Sequence, residues 1–180
     1  MSAALALSGG AVLADRADRN QPLVIEADKP GTVDMQKKVV VFNGNVVVTQ
    51  GTMRIRSEHM EVHDVGEGHR TAVATGTAGQ QATFRQKREG LDEYIEGRAD
   101  RIEYDSRSDY LKLIGNARAL RLRGSAVADE VTGNLITYDN RNELFSVAGD
   151  PARGGRVRAV LTPPPSPDAA SSPASGAPRR

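Results

Sequence analysis

Four segments of this 180-residue chain are written to one plan, and that repetition limits the fold more than any other feature. The segments are VIEADKPGTVDMQKKVVVFNGNVVV, MEVHDVGEGHRTAVATGTA, RIEYDSRSDYLKLIGNARAL and ITYDNRNELFSVAGDPAR. Each carries an apolar residue (Ile25, Met60, Ile102, Ile136), another two positions on (Ala27, Val62, Tyr104, Tyr138), and then an aspartate (Asp28, Asp64, Asp105, Asp139). A polar turn follows, and then alternating apolar residues that end on Gly44, Gly76, Gly115 and Gly149. Apolar residues at i and i+2 lie on one face of a strand, and an aspartate before polar or glycine residues bonds its own backbone to make a turn. The unit is therefore a β-hairpin.

After the turn, Val40/Phe42, Leu111/Leu113 and Phe145/Val147 sit four and two positions before the glycine, on one face. Val46 and Val48 continue that face past Gly44. Past Gly115 the parity is mixed, because Leu120 and Leu122 oppose Ala117, Ala119 and Arg121, which predicts a bulge and a register shift there. The charged run FRQKREGLDEYIEG has partial helical spacing through Phe84, Leu91 and Ile95. Gly90 and Gly97 each cost a helix about 1 kcal/mol relative to alanine, so a further hairpin, ATFRQK with DEYIEG, is predicted instead. Leu23–Leu161 then reads as many short antiparallel strands in series.

The chain has 17 valines and 18 glycines, but three phenylalanines, four tyrosines and no tryptophan. β-Branched residues with frequent glycine favour strands and turns, and so few rings leave little to fill a wide core. The absence of cysteine excludes disulfides, thiolate metal sites and a cysteine nucleophile. A formal charge of +1 provides no global field for nucleic acid.

Composition changes at both ends. Residues 1–21 combine small and apolar residues with a Val12-Leu13-Ala14 step before Asp15, which predicts either a signal-peptide remnant or a disordered leader. Residues 162–180 are rich in Pro, Ala and Ser and lack apolar periodicity, so a disordered tail is predicted. No stretch approaches the roughly 20 apolar residues of a membrane span. The expectation is a soluble, exported protein with one folded domain at 22–161.

The GNV of Gly44–Val46, the GNA of Gly115–Ala117, the ATFRQ of Ala82–Gln86, the IEYD and ITYD steps and the opening PLVIEAD, in this order, resemble the LptA (OstA-like) family of periplasmic lipopolysaccharide-transport proteins. The resemblance spans about Pro22 to Ala159. It implies an all-β, folded-over antiparallel sheet, a β-jellyroll or β-taco of repeated strands open at both ends, whose apolar interior holds the acyl chains of lipid A. Burying an acyl chain of about a dozen carbons yields on the order of 10 kcal/mol. A greasy groove would therefore carry such a lipid through water without covalent chemistry.

The residues expected to line that groove are Val40, Phe42, Val46, Val48, Met60, Val62, Ile102, Tyr104, Leu111, Leu113, Ile136, Tyr138, Phe145 and Val147, with ordinary core packing as the alternative role for many of them. Lys37, Lys38, Arg54, Arg56, Arg118, Arg121 and Arg123 could meet phosphates or simply form a solvated face. Unpaired strand edges near residues 23–27 and 156–161 would recruit further strands. The resemblance implies an LptC-like protein at the N-terminal edge, an LptD-like periplasmic domain at the C-terminal edge, and head-to-tail self-association.

No nucleophile elbow, phosphate loop, dinucleotide fingerprint or zincin motif is present. His59, Glu61 and His63 share a strand face but span about 13 Å, too far for one ion without a bend. No enzyme, metal or cofactor is expected. The competing expectation is a secreted β-repeat scaffold, or a carbohydrate- or protein-binding module, with a filled interior and no lipid ligand.

Overall fold

Aspartates set the turns. Asp34 Oδ1 accepts the backbone N–H groups of Gln36 and Lys37 (3.0 and 2.8 Å), Asp105 Oδ1 those of Arg107 and Ser108, and Asp139 Oδ1 those of Arg141 and Asn142. Four residues after each aspartate the chain passes through the left-handed region, at Lys38 (φ 56°), Asp109 (φ 62°) and Glu143 (φ 52°). The first member of this series is therefore Asp34, not the Asp28 that the repeat suggested. Asp28 precedes a Lys-Pro-Gly run that imitates a turn, but its role lies at the bend described below.

The computed structural model describes residues 18–88 and 90–163. These form twelve strands, β1 (Val24–Glu26), β2 (Thr32–Asp34), β3 (Val39–Gln50), β4 (Met53–Gly66), β5 (His69–Thr75), β6 (Ala82–Lys87), β7 (Glu93–Ala99), β8 (Arg101–Asp105), β9 (Tyr110–Arg123), β10 (Ala126–Asp139), β11 (Leu144–Ala148) and β12 (Arg158–Leu161). All belong to one antiparallel sheet, with no α-helix among the described residues. The leader and tail expected at 1–21 and 162–180 fall mostly outside the described residues. Within the leader, Asp18 accepts bonds from the N–H of Thr52 (2.8 Å) and its hydroxyl (2.5 Å).

The pairing shows how one sheet becomes two layers. Each long strand gives its two halves to different partners. The end of β3 pairs with β1 and its start with β2; the start of β4 pairs with β6 and its end with β5. The second half of the chain repeats this, with β9 taking β7 and β8, and β10 taking β12 and β11. Contacts β6·β7 and β5·β8 join the halves. One layer thus contains β1, β6, β7 and β12 with one half of each long strand. The other contains β2, β5, β8 and β11 with the remaining halves.

The crease between layers is built by Gly44-Asn45 and Gly115-Asn116. Both pairs are left-handed, with φ of 79° and 45° in the first and 79° and 46° in the second. Glycine accepts that conformation without a Cβ clash, and asparagine tolerates it better than most residues. An aspartate clamps each bend. Asp28 N–H donates to Gly44 O (2.9 Å) and its carboxylate accepts from Asn45 Nδ2 (3.2 Å); Asp100 repeats both bonds with Gly115 (3.0 Å) and Asn116 (2.8 Å).

The predicted irregularity at Gly115 is present, and ladder shifts occur beside both bends. The face does not switch in β9, however. Ala117 and Ala119 stay in the apolar cluster, while Leu120 (half-buried) and Leu122 (buried) keep the opposite parity and lie outside it, because the bend turns β9 without changing its alternation. The ATFRQK/DEYIEG hairpin forms as predicted, as β6 and β7.

Candidate functional site

The inward faces of the two layers enclose one apolar cluster. All fourteen residues singled out in the sequence belong to it. Val46, Val48, Met60, Val62, Ile102, Leu111, Leu113, Ile136 and Tyr138 are buried in it, and Val40, Phe42, Tyr104, Phe145 and Val147 pack against it. Tyr138 and Phe145 stack with ring centroids 4.5 Å apart.

The interior is not a continuous empty trough. Its centre is closed by its own side chains, with Ile55, Met60, Ile102, Leu113 and Ile136 fully buried. Small inward residues, among them Ala74, Ala82, Ala99, Ala117 and Ala119, let the layers approach until the larger aliphatic groups meet. Among the described residues, space remains between the layers in at least two places. A cavity of about 430 Å³ in the first half of the chain is walled by Leu23, Val48, Met53 and Ile55 from one layer and Val62, Ala72 and Tyr104 from the other. A second, of about 340 Å³, lies in the second half between Ile95, Ala119 and Val131 on one side and Tyr138 and Phe145 on the other.

Five of the fourteen residues therefore border open volume: Val48, Val62 and Tyr104 at the first cavity, Tyr138 and Phe145 at the second. Sequence reasoning missed Met53, Ile55, Ile95, Ala119 and Val131. The alternation of Met53, Ile55 and Ser57 in front of Met60 was a usable signal for the first two.

Both cavities reach the layer margins far from the crease. Gln50, Glu67, His69, Arg70 and Ser106 rim the first. At the second, Arg88 ties the two margins together. It pairs with Glu93 of its own layer and Glu143 in the turn of the other, its Nε lying 3.2 Å from Glu143 Oε1. Glu93 also accepts from Arg121 Nη1 (3.2 Å) and Arg123 Nε (3.0 Å), and Arg121 Nε donates to Asp129 (2.6 Å). Burial opposes the charge of Glu93, but Arg123, Arg88 and Arg121 outweigh it and hold its carboxyl below the ordinary glutamate range. Arg121 is thus committed to a neutralised rim.

Elsewhere, His59 Nδ1 lies 2.7 Å from Asn43 Oδ1 and His63 Nε2 lies 2.5 Å from Glu61 Oε1, so the His-Glu-His face engages in separate pairs. Arg54, Arg56 and Arg118 project from the outside of the layer containing β6 and β7.

Each end of the fold exposes two strand edges rather than the single edge expected from sequence. β1 and β2 stand at one end, β11 and β12 at the other. The physical reason is the crease, which divides every terminal strand position between two layers.

The comparisons with known proteins agree with one another. A family model described as the LptA/(LptD N-terminal domain) LPS transport protein matches residues 24–144. The chain is 35% identical over 146 residues to the lipopolysaccharide export system protein LptA of Escherichia coli strain K12, covering 81% of this chain and 74% of that protein. Its identity to the LptA of Haemophilus influenzae is 29% over 161 residues, covering 89% and 88%. The fold superposes on the crystal structure of LptH, the LptA-homologous periplasmic component of the lipopolysaccharide transport device of Pseudomonas aeruginosa. That match has a TM-score of 0.71 at 22% identity and covers 82% of this chain and 99% of that one.

Proposed function

The chain belongs to the LptA/LptD N-terminal-domain family of lipopolysaccharide-transport proteins, and from that premise we propose that it is a periplasmic bridge that carries lipopolysaccharide from the inner to the outer membrane. Acyl chains of lipid A sit between its layers. The observation that carries this function is the pair of apolar cavities, each walled from both layers and open at the margin away from the crease.

An acyl chain entering either cavity leaves water and gains about 0.8 kcal/mol per methylene buried. The sugar and phosphate portion stays outside the margin. The packed centre separates the cavities, so onward passage requires the layers to part locally. The aliphatic and alanine surfaces of the centre meet by packing alone, whereas at the second cavity the Arg88–Glu143 pair spans the margins and must open. No covalent step is needed, and the protein acts as a binding conduit rather than an enzyme.

The partners follow from the edges. An LptC-like protein adds to β1 and β2, and an LptD-like periplasmic domain adds to β11 and β12. A second copy of this chain can occupy either end, giving an open head-to-tail assembly.

The packed centre also favours a competing scaffold role without lipid, and one experiment separates the two. Photocrosslinkers at Tyr104, Leu113 and Phe145, with Arg101 and Glu103 as outward controls, should capture lipopolysaccharide in cells from the inward positions alone. Protein that purifies free of lipid and crosslinks from none of these positions would establish the scaffold.

A further inference from the structure

The outer face of the layer holding β6 and β7 concentrates arginine. Cross-strand partners place Arg54 directly opposite Arg85 and Arg98 directly opposite Arg118. Arg56 faces Thr83, and Thr83 faces Arg98, so Arg56, Thr83, Arg98 and Arg118 form one row across β4, β6, β7 and β9. At roughly 4.8 Å per strand the row spans about 15 Å. Like charges directly opposite in a sheet are destabilising, and here two such pairs stand side by side.

The carboxylates present neutralise part of this. Glu96 pairs with Arg85, and Glu130 is bidentate to Arg118 at 3.0 and 2.8 Å. Arg54, Arg56 and Arg98 have no ion pair among the described residues. Five arginines against two glutamates leave a local excess of three charges, on a chain whose formal net charge is +1. The side chains surround a recess of about 410 Å³.

We propose that this recess is a binding site for the phosphate groups of a phosphorylated oligosaccharide, on the side of the sheet opposite the apolar interior. Guanidinium groups present paired N–H donors that match phosphate oxygens, and the Thr83 hydroxyl supplies a further donor between them. A concave, arginine-walled site suits a discrete multiply charged group. A bilayer surface is disfavoured because docking there normally adds exposed apolar anchors, and none of the exposed large hydrophobic residues lines the recess. The site depends on the preceding section only in naming lipopolysaccharide as the natural source of such a saccharide.

The test uses the full chain and deacylated lipopolysaccharide, which keeps its sugar phosphates but offers nothing to the groove. Calorimetric titration should show binding that weakens at least tenfold in R56Q/R98Q, falls steeply with salt, and disappears when the saccharide is dephosphorylated. The variant should melt at or above the parent temperature, because a like-charge pair has been relieved. Absence of binding, binding unchanged in R56Q/R98Q, or tighter binding to phosphatidylcholine vesicles containing phosphatidylglycerol than to the saccharide would each overturn the proposal. Crosslinking at Tyr104 and Phe145 is the independent readout of the interior. Normal crosslinks with no saccharide binding remove this site and leave the groove, and the reverse result removes the groove and leaves this site.

Discussion

The angle between the layers depends on two left-handed Gly-Asn pairs, and replacing Asn116 tests that dependence. In Asn116→Ala two costs arise. The Nδ2 bond to Asp100 at 2.8 Å is lost, worth about 1 kcal/mol for an exposed pair, below the 1.5–3 typical of bonds to a charged group. An alanine held at φ 46° adds roughly 1–2 kcal/mol of backbone strain. The sum is about 2–3 kcal/mol. Asn116→Gly loses the same bond but accepts the conformation without strain, so its cost is about 1 kcal/mol. For a chain of this size each kcal/mol moves the melting temperature by about 2–4 °C. Urea unfolding with an unchanged m-value, together with thermal melts, would measure both. Asn45→Ala and Asn45→Gly should reproduce the difference in the first half, where Asp28 is the clamp. Glycine variants as damaged as alanine variants would refute the reasoning, since positive φ would then not be what these positions require.

Three further outcomes follow. Ala119→Phe intrudes on the cavity of the second half and should lower lipopolysaccharide crosslinking at Phe145 several-fold while sparing Tyr104, at a packing cost of about 1–3 kcal/mol; equal loss at both positions would mean that the cavities are not separate. The carboxyl of Glu93 is depressed in the fold, so its stabilisation is complete above the ordinary value near 4.5 and is lost as pH falls through the lower folded value; unfolding free energy measured between pH 6 and 3 should drop more steeply in the parent than in Glu93→Gln. Proline at Ala159 or Val160 removes one backbone donor from β12, and the variant whose lost N–H pointed away from β10 should weaken self-association, read by light scattering, without lowering the melting temperature.

Much of the fold was legible because local chemistry and tertiary role coincide. The I-x-Y-D steps at Asp105 and Asp139 are turns, and the Gly-Asn pairs are bends, for reasons contained in a few adjacent residues. Asp28 misled because it also precedes a glycine, and only its bond to Asn45, seventeen positions on, identifies it as a clamp. Arg121 was legible as a cation but not as an inward one. Its position on the interior face is tolerable only because Glu93 and Asp129 arrive from other strands. Arg54, Arg56 and Arg118 were legible as cations that could meet phosphates, but their alignment with Arg98 was not, since Arg56, Arg98 and Arg118 come from three strands whose register no local pattern specifies. The folded-over sheet was expected only through the family resemblance, and the structure has it; alternation alone reports which face is buried and not which partner each half-strand takes.

The internal repeat also bears on assembly. At the middle of the chain, β5 and β6 of the first half meet β8 and β7 of the second through two antiparallel ladders, one in each layer. By the same correspondence β11 and β12 are the counterparts of β5 and β6, while β2 and β1 are the counterparts of β8 and β7. The C-terminal end therefore presents the pair of edges that already joins the halves, and the N-terminal end presents its complement. Exposed apolar residues accompany these edges, with Val33 59% and Leu161 74% accessible, and the strands are short, which keeps either edge from recruiting partners indiscriminately. A partner must engage two layers at once to match the internal seam. That requirement selects another folded-over sheet over an isolated strand, and it would align the interior of the incoming domain with this one.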